Sequence, residues 1–331
     1  MITKFTDFFK REIVFSISLI LAVISCFFAK PSIGYINWDT IILLFVIMLI
    51  VEILKNLAIF ERLVRKLLVK VSNTRELVIV LVFTCFLSSI FITNDVSLII
   101  FVPFSILALK KVERLDLIIL TVTLQTIAAN VGCMVLPIGA PHNIVMLTVS
   151  NIPFGSFFLL LLPYILVSLI FLAVILFFSP NDKITLPKMN KISFERESFL
   201  KRAFLGVDYY LLLTFIALFI LIGNLQNIPF FNSLFTKSIV ANEVMWGVLA
   251  SQVISNVPAA MLLSRFSSNY EAIIIGINIG GFGTLIASMA NLISFKILVR
   301  EFDEFKIRYL GVFTALNIAL LILLLGVYIL I

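Results

Sequence analysis

Charge is what this sequence has least of. Asp, Glu, Lys and Arg make up 13% of its 331 residues, about half the share of a typical soluble domain. With 62% of the residues apolar, too few polar side chains remain to clothe a water-facing surface. Soluble enzymes, DNA-binding domains and secreted scaffolds are excluded. Histidine occurs once, as His142, and cysteine three times, as Cys26, Cys85 and Cys133. The cysteines stand far apart in apolar segments, without metal, redox or disulfide spacing, and read as packing residues. A Walker motif is missing, so the chain itself does not use ATP. Gly281-Phe282-Gly283 lacks the third glycine and the strand–helix setting of a dinucleotide loop.

What is abundant is hydrocarbon: 33 Phe and a mean hydropathy of +1.18. Runs such as 157–178 and 311–331 reach the ~20 residues that cross a bilayer. The fold class is therefore an all-α polytopic membrane protein, integral to what is expected to be a prokaryotic plasma membrane. The net charge of +7 fits Lys and Arg retained on the cytoplasmic side, not nucleic-acid binding. Val23-Ile24-Ser25-Cys26, following Lys4, Lys10 and Arg11, loosely resembles a lipoprotein cleavage site. With so many apolar segments downstream, an uncleaved first helix is the better reading.

Full spans are expected at about 13–30, 38–60, 156–178, 209–224 and 309–331. Two longer stretches, 117–150 and 272–299, carry Gly or Pro interruptions. Two more, 77–109 and 239–264, are broken by Thr93-Asn94-Asp95 and Ser255-Asn256-Val257-Pro258, leaving arms too short to cross comfortably. These could be re-entrant hairpins or single tilted spans, and positive charge decides between them. With two hairpins and a cytoplasmic N-terminus, all 25 Lys and Arg lie inside except Lys30, Lys237 and Arg265. With two single spans, Lys110, Lys111, Arg114 and the six basic residues from Lys183 to Arg202 move outside. The positive-inside rule selects the hairpins.

That topology exposes a repeat. After a first helix in 1–37, the chain reads span, hairpin, broken span, span over 38–178. A polar, basic cytoplasmic linker, 179–208, follows, and the same order recurs over 209–331 from the opposite side. Asn94 corresponds to Asn256, and Ala129-Asn130-Val131-Gly132 to Ile277-Asn278-Ile279-Gly280. Inverted repeats with discontinuous helices at matching places point to a secondary transporter. Glu61–Val71 has an apolar stripe and basic flanks, the pattern of an interfacial helix.

The chemistry is expected at the breaks. Backbone groups freed inside hydrocarbon must find partners or line a water-filled cavity, and Thr93, Asn94 and Asp95 can supply them. Asp95 stands out, because carboxylates at membrane depth are rare and usually functional; it could ligate Na+ or carry H+. The second tip has Val257 where the first has Asp95, so the two are chemically unequal. In the broken helices, Asn130, Gly132, Pro137, Gly139 and Pro141 precede His142 and Asn143, and Asn278, Gly280, Gly281 and Gly283 precede Thr284. Unwound carbonyls there suit a cation, and half-helix N-termini suit an anion. His142 is either a hydrogen-bonded packing residue or a substrate contact sensitive to protonation. Glu52 and Lys55 read as a local pair or as snorkelling chains, Glu243 as a solvated carboxylate, and Pro103 as a kink.

Four segments resemble a known family. Thr93-Asn94-Asp95-Val96, Leu136–Asn143, Ser251–Pro258 and Asn278–Thr284 are similar to signatures of the ion transporter superfamily. That group includes divalent anion/sodium symporters, citrate transporters, arsenite permeases and sodium/proton antiporters. The resemblance implies a cation-coupled (Na+ or H+) carrier of a small anionic solute, a carboxylate or oxyanion, working by elevator-type motion. It implies one cation site near Thr93, Asn94, Asp95 and the loop carrying Asn130, Gly132 and Gly139. A second would lie near Ser255, Asn256, Asn278 and Gly281. Substrate would sit between the tips, touching Asn94, Asn256 and Thr284, with His142 and Asn143 nearby. Helices 38–60 and 209–224 would form the scaffold of a homodimer. An acidic first tip resembles the arsenite-permease and antiporter branches more than the symporters. An antiporter or arsenite-type permease is thus the alternative, with a soluble ATPase partner conceivable only by analogy with arsenical pumps. Apart from the coupling ion, no cofactor is expected, and no enzymatic activity.

Overall fold

The computed structural model describes residues 13–56, 71–184 and 199–331. Its helices are α1 (Ile13–Ser25), α2 (Trp38–Asn56), α3 (Thr74–Phe91), α4 (Asn94–Lys111), α5 (Ile118–Gly132), α6 (Pro141–Ser150) and α7 (Phe154–Phe177). After the connector come α8 (Phe199–Gly206), α9 (Tyr209–Asn227), α10 (Pro229–Ile239), α11 (Glu243–Ile254), α12 (Asn256–Phe266), α13 (Tyr270–Ile279), α14 (Met289–Glu301) and α15 (Lys306–Leu330). Among the described residues, five helical segments are long and apolar enough to cross a membrane: 74–91, 115–132, 154–177, 209–227 and 303–330. The expected interfacial helix lies almost wholly in 57–70, outside the described residues, as does most of the connector.

α3 and α4 fold back on each other at Ile92-Thr93. Ser97 Oγ donates to Cys85 O at 3.2 Å and shares a 2.6 Å hydrogen bond with Ser88 Oγ. In one continuous helix those twelve residues would span about 18 Å. Both ends of the pair lie at the connector. Thr74 Oγ1 donates to Pro180 O at 2.7 Å, and Arg114, just past α4, forms ion pairs with Asp116 and Asp182.

α11 and α12 reverse at Ser255, whose φ of +71° sets the turn. Their far ends are tied by Ser267 Oγ, which donates to Glu243 Oε1 at 2.7 Å. Arg265 Nη2 donates to Tyr35 O at 2.7 Å, beside the C-terminal end of α9. The 19 residues of α9, about 28 Å of helix, separate that end from the connector.

Several expectations change. The first pair has arms of 18 residues each, longer than anticipated and long enough for α3 to count among the spanning helices. Arg75 and Glu76 fall within the first turn of α3 because Asn73 caps it, accepting from Glu76 N at 2.8 Å. Glu243 is buried and paired with Ser267, not solvated. Glu52 faces α8: a Cβ on Gly206 would meet its Oε2 at 2.5 Å, while the side chain of Lys55 lies outside the described residues. Pro103 sits inside α4 without ending it. α10, between α9 and the second pair, had no assigned element.

Burial sorts the helices. Fourteen of the 15 residues of α5 are buried, against seven of 24 in α7 and five of 25 in α15. α5 is thus the axis of the molecule. It carries the polar residues Thr121, Thr123, Gln125, Thr126 and Asn130 in its buried faces, while α7 and α15 present aliphatic surface outward, as lipid requires.

Candidate functional site

Both interrupted helices stop on an asparagine and restart with one, and the four amides cross. α5 ends at Gly132 just after Asn130, and α14 begins with Met289-Ala290-Asn291. Asn130 Nδ2 donates to Asn291 Oδ1 at 2.8 Å. α13 ends at Ile279 just after Asn278, and α6 begins with Pro141-His142-Asn143. Asn278 Nδ2 donates to Asn143 Oδ1 at 2.8 Å, and Asn143 Nδ2 returns to Asn278 Oδ1 at 3.2 Å. Each restarting asparagine also braces its own loop. Asn143 Nδ2 donates to Cys133 O at 3.0 Å, and Asn291 Nδ2 to Gly281 O at 3.0 Å. Cys133 and Gly281 each lie three residues beyond the asparagine on which their helix stops. A broken helix strands carbonyls; here the restarting half takes up one of them, and the other interrupted helix holds the asparagines in place.

Asn130 is the hub. Its Oδ1 accepts from Asn94 Nδ2 at 2.9 Å and from Ser288 Oγ at 3.4 Å, linking the first turn, the first break and the second break. Asn94 Oδ1 is used locally, accepting from Asp95 N at 3.0 Å. His142 Nε2 lies 3.2 Å from Asn278 Oδ1 and is buried, so in this state it belongs to the junction. Gly132 and Gly139 lie against the backbone near the end of α3. A Cβ on Gly132 would strike Phe86 O, and one on Gly139 would lie 2.7 Å from Ser89 O.

The second loop has its own clamp. Gln252 Nε2 donates to Gly280 O and Phe282 O, both at 2.9 Å, and its Oε1 accepts from Thr284 N at 2.9 Å. Gly283 adopts φ +109°, and a Cβ there would meet Gln252 Oε1 at 2.5 Å. Gly281 approaches Asn256, whose Nδ2 would stand 3.3 Å from an added Cβ.

Two cavities adjoin the turns. The first, of ≈ 380 Å³, is walled by Thr93, Asp95 and Val96, by Glu52 on α2, and by Gly206, Val207 and Asp208 at the start of α9. Asp95 Oδ1 is buried there without a hydrogen-bond partner. The second, of ≈ 240 Å³, lies under Ser255, Val257 and Pro258 and reaches Lys296. Asp208, Leu211, Met289 and Ile293 border both. Asp208 also caps α9, accepting from Leu211 N at 2.9 Å.

Of the residues singled out from sequence, Thr93, Asp95 and Ser255 line these cavities. Asn94, Asn130, His142, Asn143, Asn256 and Asn278 are buried behind them. Thr284 is exposed, outside both cavities. Asn291, Ser288, Gln252, Asp208 and Lys296 were not singled out. Asn291 had a signal, since it stands third in its half-helix as Asn143 does in its own.

A polar junction at the centre of an all-helical membrane protein, with cavities at its turns, defines an integral membrane transporter. The chain belongs to the citrate transporter family, CitMHS, whose model matches residues 6–270. An uncharacterized transporter of Methanocaldococcus jannaschii is 31% identical over 320 residues, covering 85% of this chain and 87% of its own. The inner membrane protein YbiR of Escherichia coli is 28% identical over 299 residues, or 79% and 80% of the two chains. A putative transporter, arsB, of Dictyostelium discoideum is 33% identical over 126 residues, 37% of this chain and 22% of its own. The family resemblance carried by the four motifs therefore holds, and the likeness is to transporters, not enzymes.

Proposed function

We propose that this protein is a cation-coupled secondary active transporter of a small anionic solute, a carboxylate or an oxyanion. The observation that carries the reading is Asp95. It is a carboxylate at membrane depth, set at a helix reversal, lining a cavity, with one oxygen buried and unpartnered. An unmatched carboxylate oxygen in low dielectric is costly unless a cation or proton joins it, so binding of Na+ or H+ is favoured there. Ser89 supports the same site: its Oγ is buried and unpartnered, and its backbone carbonyl packs on the Gly139 turn. Once the cation neutralises Asp95, an anion approaching the turns no longer meets like charge. At ~4–6 Å and an effective dielectric of about 20, that repulsion is roughly 3–4 kcal/mol, enough to couple the two ligands.

In this scheme α3–α4 and α11–α12 are re-entrant hairpins of two inverted repeats. The exchanged asparagine bonds support it, because Asn130–Asn291 and Asn278–Asn143 map onto each other when the halves are swapped. The hairpins and interrupted helices, knit by that junction, form the moving body of an elevator. α2 and α9 belong to the static frame of a homodimer. The basic connector is cytoplasmic in this scheme. The N-terminus is then cytoplasmic too.

A second reading, sodium/proton antiport, is favoured by one observation. Among the described residues, Glu52, Asp95 and Asp208 line the first cavity and no Lys, Arg or His does. Proteoliposomes separate the two. Labelled citrate, succinate and arsenite are offered under an inward Na+ gradient, an inward H+ gradient, or neither. Gradient-dependent uptake of one of them, abolished by Asp95→Asn, is the expected result. Sodium-driven pH change without uptake of any solute would establish antiport instead, and solute uptake indifferent to both gradients would defeat cation coupling.

A further inference from the structure

The two cavities differ in chemistry. The first is ringed by Glu52, Asp95 and Asp208. The second has a single carboxylate, Asp208, and the one Lys or Arg among the described residues that lines either cavity, Lys296. Lys296 lies on α14 seven residues beyond Met289 and three beyond Ile293, one helical face turned to the turns. It makes no ion pair among the described residues. Across the cavity stands Ser255, only 7% exposed, with an Oγ that has no hydrogen-bond partner. The second cavity is also where two helices begin. α12 and α14, of 11 and 13 residues, both lack a side-chain cap on their first N–H groups. Pro258 and Met289 of their first turns line the wall. Both N-termini present positive potential to an anion, and the free donors come from α14, since Asn256 N already donates to Ala287 O and Pro258 has no N–H.

A hydroxyl donor, an ammonium group and two helix starts thus converge on one space, while the carboxylates gather on the other. We propose that the second cavity is the anion subsite of the transporter, with Lys296 anchoring a carboxylate or oxyanion group and Ser255 Oγ orienting it. The coupling cation stays at the first turn. Asp208, bordering both spaces, is the wall between them. The subsite rests on the transport reading above and assigns specificity to residues outside the buried asparagine junction.

The test uses the full chain in proteoliposomes, with whichever of citrate, succinate and arsenite the wild type accumulates. Lys296→Gln, Lys296→Arg and Ser255→Ala are compared, each first shown to keep the wild-type gel-filtration profile and melting temperature. Without the ammonium group facing the anion, the half-saturating concentration rises roughly tenfold or more in Lys296→Gln, while Lys296→Arg stays close to wild type. Ser255→Ala gives a smaller rise. With the anion held at a concentration saturating for each variant, the cation concentration for half-maximal uptake is expected to stay unchanged in the two Lys296 variants. Wild-type half-saturation in Lys296→Gln would overturn the subsite and leave the transport reading standing. An equal rise in Lys296→Gln and Lys296→Arg would overturn the anchoring role as well. Failure of the wild type to accumulate any of the three solutes would instead remove the anion-transport reading, and the subsite with it.

Discussion

Replacing Asn130 by alanine tests whether the junction holds the molecule together. The substitution orphans two buried partners, Asn94 Nδ2 and Asn291 Oδ1, which bond to Asn130 at 2.9 and 2.8 Å. Each unpaired buried polar group costs about 1–3 kcal/mol, so the pair costs about 2–6 kcal/mol. At roughly 2–4 °C per kcal/mol for a chain of this order, the melting temperature falls on the order of 10 °C. Scanning fluorimetry of the detergent-purified protein reads this directly. A double-mutant cycle with Asn94→Ala sharpens it. In the wild type, Asn94→Ala breaks a bond and leaves Asn130 Oδ1 with only the long hydrogen bond from Ser288. In the Asn130→Ala background Asn94 Nδ2 is already stranded and only the local bond from Asp95 N is lost, so its effect is smaller. Coupling of about 1 kcal/mol or more is expected. If Asn94→Ala shifts the melting temperature equally in both backgrounds, the hub carries no free energy and the reasoning fails.

Other outcomes follow from the surroundings of single residues. Gly276→Ala puts a methyl 2.6 Å from Val244 O, where α11 and α13 touch backbone to backbone, and is expected to cost about 1–3 kcal/mol in a melt. Gly311→Ala meets nothing within 4 Å and gains up to ~1 kcal/mol of helix propensity in the same assay. Asn317 is fully buried with Oδ1 unpaired, and its Nδ2 reaches only the Phe313 carbonyl one turn back. Asn317→Leu should therefore be neutral or raise the melting temperature. Gln252→Ala releases three hydrogen bonds to 280–284, so peptides over that loop should exchange amide hydrogens faster while α5 peptides do not change.

Much of the architecture was legible because polarity is so scarce. In an apolar run, Thr93-Asn94-Asp95 and Ser255-Asn256 can only mark places where backbone is freed, and the chain reverses at both. Gly132–Pro141 and Gly280–Gly283 signalled unwound segments for the same reason. Lengths were less legible: the charges of Arg75 and Glu76 looked like a boundary, but Asn73 caps the helix ahead of them. Glu243 read as solvated because its partner Ser267 is 24 residues away. α10 went unassigned because its polar and apolar residues mix, as they do at a surface. Within the site, Asp95 announced itself by charge alone. Gln252 and Lys296 did not, since each acts on a loop or cavity assembled from distant segments, and no local pattern encodes that meeting.

The crossed asparagines also bear on how the protein is made. Residues 130 and 143 are synthesised and enter the bilayer long before residues 278 and 291 exist. Until then the Nδ2 of Asn130 and the Oδ1 of Asn143 have no partner of their own in hydrocarbon, since both bond across to the later half. The first half cannot settle into its final depth and packing while its C-terminal counterpart is still on the ribosome. Biogenesis of this chain is therefore a delayed handshake, in which insertion comes first and closure of the interior waits for the last third of the polypeptide.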